Sequence, residues 1–213
     1  MIEPIFVEKR LDCNRRLREL NLDRGQLVDV VMQAVAARAG VTDYDPVSAP
    51  GYEFWRGGTR RLRELLVGHG WEKATINGIE YVIDISRKNR LSVVATDDNT
   101  ASPNGLPKNR TLKGPATEEA VENNKQLILP LIFKDQKTIA PASEYTSWLL
   151  CIYDGGENVC AELSCPTEVL GGRFTHFNER IVILGPGEWN DIDPLQSTDD
   201  DFGPEIEINV QRK

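Results

Sequence analysis

Cysteine and histidine are the residues of this chain best suited to soft-metal or nucleophilic chemistry, and the 213 residues hold four of the first and two of the second. Cys151, Cys160, Cys165 and His176 fall in one stretch. Three thiols and one imidazole make a legitimate zinc set. In a tight hairpin centred between Gly155 and Gly156, Cys151 and Cys160 are expected to sit opposite each other and share a face. The spacing, C-x8-C-x4-C-x10-H, lacks the close C-x2-4-C pair that structural zinc sites place on turns. The plainer expectation is four small buried apolar residues, with no cofactor.

Carboxylates give a second constellation. Asp84 is expected on a strand, and Asp97-Asp98 at the end of the next one. Acidic groups at adjacent strand ends can hold magnesium for phosphodiester cleavage. No lysine follows at the strand spacing common in such nucleases, and Asp is an ordinary strand-end residue. Acyl transfer needs a nucleophile, a base and an orienting group. Neither His69 nor His176 has a G-x-S-x-G elbow nearby.

Cationic residues give the third. Arg15, Arg16 and Arg18 punctuate a short amphipathic stretch, and Trp55, Arg56, Arg60, Arg61 and Arg63 surround Gly57-Gly58-Thr59. Glycines, a hydroxyl and guanidinium groups at a helix start are the ingredients of an anion site. No Gly-Lys-Ser/Thr closes it into a phosphate loop. Aromatic rings interleaved with arginines also suit single-stranded nucleic acid. Against this stand two ordinary roles, a solvated helix face for the arginines and core packing for Tyr52, Phe54 and Trp55. Lys108, Arg110 and Lys113, in a long polar loop, are further phosphate candidates.

Residues 2–7 suggest a short edge strand, and Leu11 to Leu20 a basic helix. Asp23 caps a helix to about Ala39, whose Leu27, Val30, Val31, Ala34 and Val35 repeat at i, i+3, i+4, i+7 and i+8. A third helix is expected from about Thr59, taken as its cap, to Val67. Glu72 to Ile76 and Ile79 to Ser86 flank Asn77-Gly78, the strongest short hairpin signal. Leu91 to Thr96 completes a three-stranded meander. Asp97 to Pro115 carries three prolines, two glycines and three asparagines, so it reads as a functional loop or a linker.

After it, Thr117 caps a short helix to about Asn124, and Leu127 to Phe133, split by Pro130, suits an extended edge segment. Trp148 to Tyr153 and Asn158 to Cys165 form the clearest hairpin, with Pro166 ending it. Arg180 to Leu184 and the strictly alternating Glu205 to Val210 are further strands.

Bulk composition narrows the class. Forty per cent apolar residues suffice for a core, and 27% charged residues are ordinary for a soluble protein. No stretch reaches the roughly 18 apolar residues of a membrane span, and Met1-Ile2-Glu3-Pro4 lacks the layout of a signal peptide. A cytoplasmic protein with free thiols is expected. The net charge of −8 is uneven. Residues 1–113 hold 18 Lys and Arg against 15 Asp and Glu, and residues 114–213 hold 7 against 18.

The expected fold is α+β: N-terminal helices with a three-stranded antiparallel meander (1–98), a polar linker (99–116), and a C-terminal antiparallel β-sheet (117–213), the halves separate or packed as one. The expected function is a non-enzymatic protein–protein interaction or accessory protein, whose acidic second half, with Asp199-Asp200-Asp201, meets a basic partner protein. The alternatives are a nucleic-acid-binding protein using the arginine clusters, and a metal-dependent phosphodiesterase using Asp84, Asp97 and Asp98.

Overall fold

The computed structural model describes residues 4–132 and 143–192. Among these, four α-helices and one short 3-10 helix accompany seven strands. The strands are β1 (Ile5–Val7), β2 (Glu72–Ile76), β3 (Ile79–Asp84), β4 (Asn89–Ala95), β5 (Thr146–Asp154), β6 (Val159–Leu170) and β7 (Arg173–Leu184). The helices are α1 (Arg10–Glu19), α2 (Arg24–Ala39), α3 (Ala49–Leu66) and α4 (Pro115–Ile132).

The α+β class holds, but the two halves do not form two sheets. All seven strands join in one mixed sheet of order β1-β7-β6-β5-β4-β3-β2. The seam is the parallel pair β4–β5, running from Asn89↔Thr146 to Ala95↔Ile152. Six of the seven β4 residues are buried, as expected of a strand covered on both faces, although Asn89, Arg90 and Ser92 among them are polar. At the far edge β1 pairs in parallel with β7, Ile5↔Glu179 to Val7↔Ile181.

Successive strand residues point to opposite faces, and the core divides accordingly. Leu150 and Ile152 join the larger cluster, with Leu17 of α1, Leu27, Val30 and Ala34 of α2, and Phe54 and Leu62 of α3. Leu149 and Cys151 join the smaller cluster, with Val94, Phe174, Phe177 and Val121 of α4. Asn124 of α4 ties its helix to two strands. Its amide donates to the Ser147 (2.8 Å) and Pro166 (2.9 Å) carbonyls and accepts from the Ser147 N–H (2.7 Å).

Local chemistry explains where the chain departs from its sequence pattern. Helix α2 begins as expected, with the Asp23 carboxylate accepting from the N–H groups of Gly25 and Gln26. Helix α3 begins ten residues before Thr59. Gly57 and Gly58 are therefore helix interior. A Cβ on Gly57 would stand 2.6 Å from the Ala37 Cβ, and one on Gly58 3.2 Å from the Ala34 Cβ. These glycines let α2 and α3 approach closely, and the residue taken for a cap, Thr59, is buried.

Helix α4 likewise begins at Pro115 and continues through Leu127 and Ile128 to Ile132, where an extended segment was expected. Proline at the first helical position sacrifices an N–H that has no partner there anyway. Strand β6 runs past Pro166 to Leu170, and register shifts on either side of Pro166 absorb its missing N–H. Phe133, Asp199-Asp200-Asp201 and the expected strand Glu205 to Val210 lie outside the described residues. Among the described residues no helix is long and apolar enough to cross a membrane.

The polar connection after β4 is built onto the sheet. Glu162 and Arg180 lie side by side, almost wholly buried. Arg180 Nε and Nη2 donate to the two Glu162 oxygens at 2.8 and 2.6 Å. Glu162 also accepts from the Ala101 N–H (2.6 Å) and the Ser164 hydroxyl (2.5 Å). Arg180 reaches the Gly105 carbonyl (2.8 Å) and stacks over the Phe6 ring. Asn109 is buried, donating to the Thr111 and Gly172 carbonyls and accepting from the Phe174 N–H. Gly172 fits because its φ is +73° and a Cβ would meet the Lys113 and Leu112 backbone and side chain at 3.0–3.2 Å.

Candidate functional site

The β5–β6 turn occupies residues 155–158, which centres it between Gly156 and Glu157 and shifts the expected register. Cys151 faces Glu162 across the ladder, and Cys160 faces Tyr153. Cys151 packs in the smaller core cluster, while Cys160 and Cys165 pack in the larger. All four cysteines are buried free thiols. Burial pushes the Cys151, Cys160 and Cys165 thiols up, away from the reactive thiolate form. His176 Nδ1 sits 2.5 Å from the Glu168 carboxylate. Among the described residues no group of three or more His, Cys, Asp or Glu side chains is placed to hold a metal ion. The zinc set is therefore not brought together.

The acidic trio is also dispersed. Asp84 pairs with Asn89 at the start of β4, whereas Asp97 lies just past its end. An antiparallel return puts the ends of successive strands at opposite edges, and eight residues of strand span about 26 Å. Asp84 is fully buried and closes the β3–β4 turn, accepting from the Ser86 hydroxyl (2.6 Å) and the Arg87 N–H (3.0 Å). Burial raises its pKa, but those bonds and the Arg87 guanidinium outweigh burial and hold the carboxyl below its ordinary value. Asp97 braces the loop by accepting from the Lys108 and Asn99 N–H groups.

The early arginines meet carboxylates of their own chain. Arg15 pairs with Asp12 (2.9 Å), and Arg16 pairs with Glu19 (2.7 Å) and makes a two-pronged contact with Glu179 (2.7 and 2.9 Å). Arg56 pairs with Glu53, Arg60 with Glu64, Arg61 with Asp29 and Arg63 with Glu80, all at 2.5–2.7 Å. Arg18 is exposed and has no ion pair among the described residues. The clusters also sit apart, α1 against β7 and α3 against β3 and β4. The anion site expected at Gly57-Gly58-Thr59 is absent, because their N–H groups belong to the interior of α3, where the helix ladder uses them.

One of those residues, Trp55, belongs instead to a cleft of about 500 Å³ at the carboxyl ends of the parallel strands β4 and β5. Crevices at strand carboxyl ends are where open α/β sheets take ligands. The first two turns of α3 form one wall, with Tyr52 and Trp55 exposed and their rings 5.9 Å apart. Arg38, at the end of α2, and Arg110 and Lys113, from the loop after β4, supply three cations. The one carboxylate in the lining, Asp154, takes a 3.1 Å bond from Arg38. The lining therefore carries a net charge of +2.

Two backbone ties fix the cationic wall. The Arg110 N–H donates to the Ala95 carbonyl (3.0 Å), and the Lys113 N–H to the Gly172 carbonyl (2.9 Å). Burial pushes the Lys113 ammonium down from its ordinary pKa, and among the described residues its Nζ has no hydrogen bond or ion pair. The polar loop signal and Trp55 point toward this cleft in sequence. Arg38 and Asp154 do not, because 116 residues separate them and only the fold joins them.

A second cavity, about 230 Å³, shares Trp55, Val93, Val94 and Lys113 with the first. It lies where β3 and β4 part company. Their pairing ends at Val82↔Leu91, while Ile79–Tyr81 stay paired with β2 and Ser92–Ala95 stay paired with β5. No protein-family description matches this chain, and neither the curated proteins nor the solved structures offer a match.

Proposed function

We propose that this chain is a non-enzymatic interaction protein that takes an anionic partner in the cleft beyond β4 and β5. The observation that carries the reading is the convergence of Arg38, Arg110 and Lys113 beside two exposed rings, with Lys113 lacking an ion pair among the described residues. A partly desolvated cation without a partner gains most when an anion arrives. The chain is acidic overall, so the cleft is a local positive site on a molecule that otherwise repels acids. That favours selection at short range over long-range capture. The expected meeting of the acidic second half with a basic partner draws on residues 114–213, of which Asp199-Asp200-Asp201 lie outside the described residues.

Single-stranded nucleic acid is a second reading of the same cleft, favoured by the Tyr52 and Trp55 rings as a stacking platform. Titration of labelled hexaglutamate and of a labelled oligo(dT) into the full chain, followed by anisotropy from low to physiological salt, tests both. Salt-sensitive binding of either, lost in Arg110→Glu/Lys113→Glu, supports the cleft. No binding of either probe at low salt refutes it.

A further inference from the structure

We propose that the partner is an extended peptide that lies against β4 at Val93, in the gap where β3 has parted from it, with carboxylates alternating with apolar side chains. This rests on the reading of the cleft just given and specifies its occupant.

The backbone supports the argument. In a parallel pair, alternate residues turn both their N–H and C=O toward the neighbour. The Thr96 N–H donates to the Ile152 carbonyl (2.9 Å), so Ser92, Val94 and Thr96 face β5. Leu91, Val93 and Ala95 therefore face the other way. Leu91 is met by Val82 of β3, and the Ala95 carbonyl by the Arg110 N–H. Between these two, Val93 turns its N–H and C=O toward the smaller cavity, and no strand is in register with it there. An unpaired edge inside a groove is the acceptor used in strand addition.

The side chains specify the sequence the slot favours. Neighbouring residues of an added strand point to opposite faces. Helix α3, which carries Trp55, packs with the larger core cluster, and α4, which follows Lys113, packs with the smaller, so the two faces of the strand meet different helices. Glu80 also lines the smaller cavity, with its charge met by Arg63. An apolar residue fits the first face and a carboxylate the second. Between Leu91 and Ala95, both already met, Ser92 to Val94 occupies about 10 Å, so the slot takes about three residues. Nucleic acid would use the rings and the cations but has no use for a backbone amide edge, and this decides for peptide.

The test uses the full chain and a fluorescein-labelled hexapeptide of alternating glutamate and isoleucine, read by anisotropy at low salt. A second peptide carries the same side chains with alternate backbone nitrogens methylated, which removes the strand donors. The parent peptide is expected to bind at least tenfold more tightly than the methylated one. Trp55→Ala and Lys113→Ala, both altering side chains that line the groove, are expected to weaken the parent at least fivefold. Equal binding of the two peptides overturns the added strand while leaving the anionic cleft standing. Binding of oligo(dT) with none of the hexapeptide overturns it in favour of nucleic acid. Absence of binding by peptides, hexaglutamate and oligo(dT) alike removes both the added strand and the cleft.

Discussion

Replacing Arg180 by methionine keeps much of the side-chain volume and removes the positive charge. Glu162 then remains buried as an anion with only the Ala101 N–H and the Ser164 hydroxyl to satisfy it. Breaking a fully buried pair from one side costs about 3–5 kcal/mol, because the surviving charge is uncompensated. The Gly105 carbonyl also loses its donor. With a urea dependence toward the upper end of about 1–3 kcal/mol per molar, this moves the unfolding midpoint down by about 1–2 M. Adding Glu162→Gln to Arg180→Met removes the stranded charge while keeping an acceptor for Ala101. The double variant is expected to recover about half of the loss. The assay is urea unfolding followed by tryptophan fluorescence and far-ultraviolet circular dichroism in parallel. A loss below about 1 kcal/mol in the single variant, or a double variant as unstable as two independent losses, would refute the account of the pair. Because Glu162 and Arg180 hold residues 99–105 of the loop that carries Arg110 and Lys113, the single variant should also weaken hexaglutamate binding without touching the cleft lining.

Four further outcomes follow from the geometry. Gly57→Leu, whose Cβ alone would crowd the Ala37 methyl and the Gln33 carbonyl, should cost about 1–3 kcal/mol in urea unfolding. Gly51→Ala, with nothing within 4 Å of its new methyl, should stabilise α3 by about 0.5–1 kcal/mol. On the acid side, the lowered Asp84 carboxyl contributes stability that is present above the unfolded carboxylate range, near pH 4. That contribution fades as pH falls further through its folded value. The stability gap between the wild-type chain and Asp84→Asn should therefore narrow from pH 6 to pH 3, and a constant gap would contradict the assignment. In the cleft, Arg38→Ala should raise the repulsion felt by an acidic probe, since Asp154 loses its side-chain partner, and hexaglutamate affinity should drop more than in Arg60→Ala, whose guanidinium lies outside the lining.

The elements governed by local chemistry are legible in the amino-acid pattern, and those governed by distant contacts are not. Asp23 followed by an apolar stripe marks α2, and Asn77-Gly78 marks its hairpin, because cap and turn act within a few residues. Gly57-Gly58 looks like a helix stop and is a helix crossing, since the reason for it lies on α2. Trp148 to Tyr153 reads as a strand, but its parallel partner across 57 residues, Asn89 to Thr146 in register, leaves no mark in either segment. The arginines are plain in the sequence. Their neutralisation by Glu179, Asp29 and Glu80 is not, because those carboxylates arrive from elsewhere in the chain.

The strand order also constrains how the molecule assembles. Ile5–Val7 pairs with Glu179–Ile181, so this strand waits for a segment made much later before it can dock. The central seam is a long wait as well, since β5 follows β4 only after a loop and a helix. Closing such large loops before any reward is collected slows barrier crossing. Refolding should be governed by that central junction, with the amino-terminal strand zipping on late, and truncating residues 4–7 should speed unfolding far more than it slows refolding.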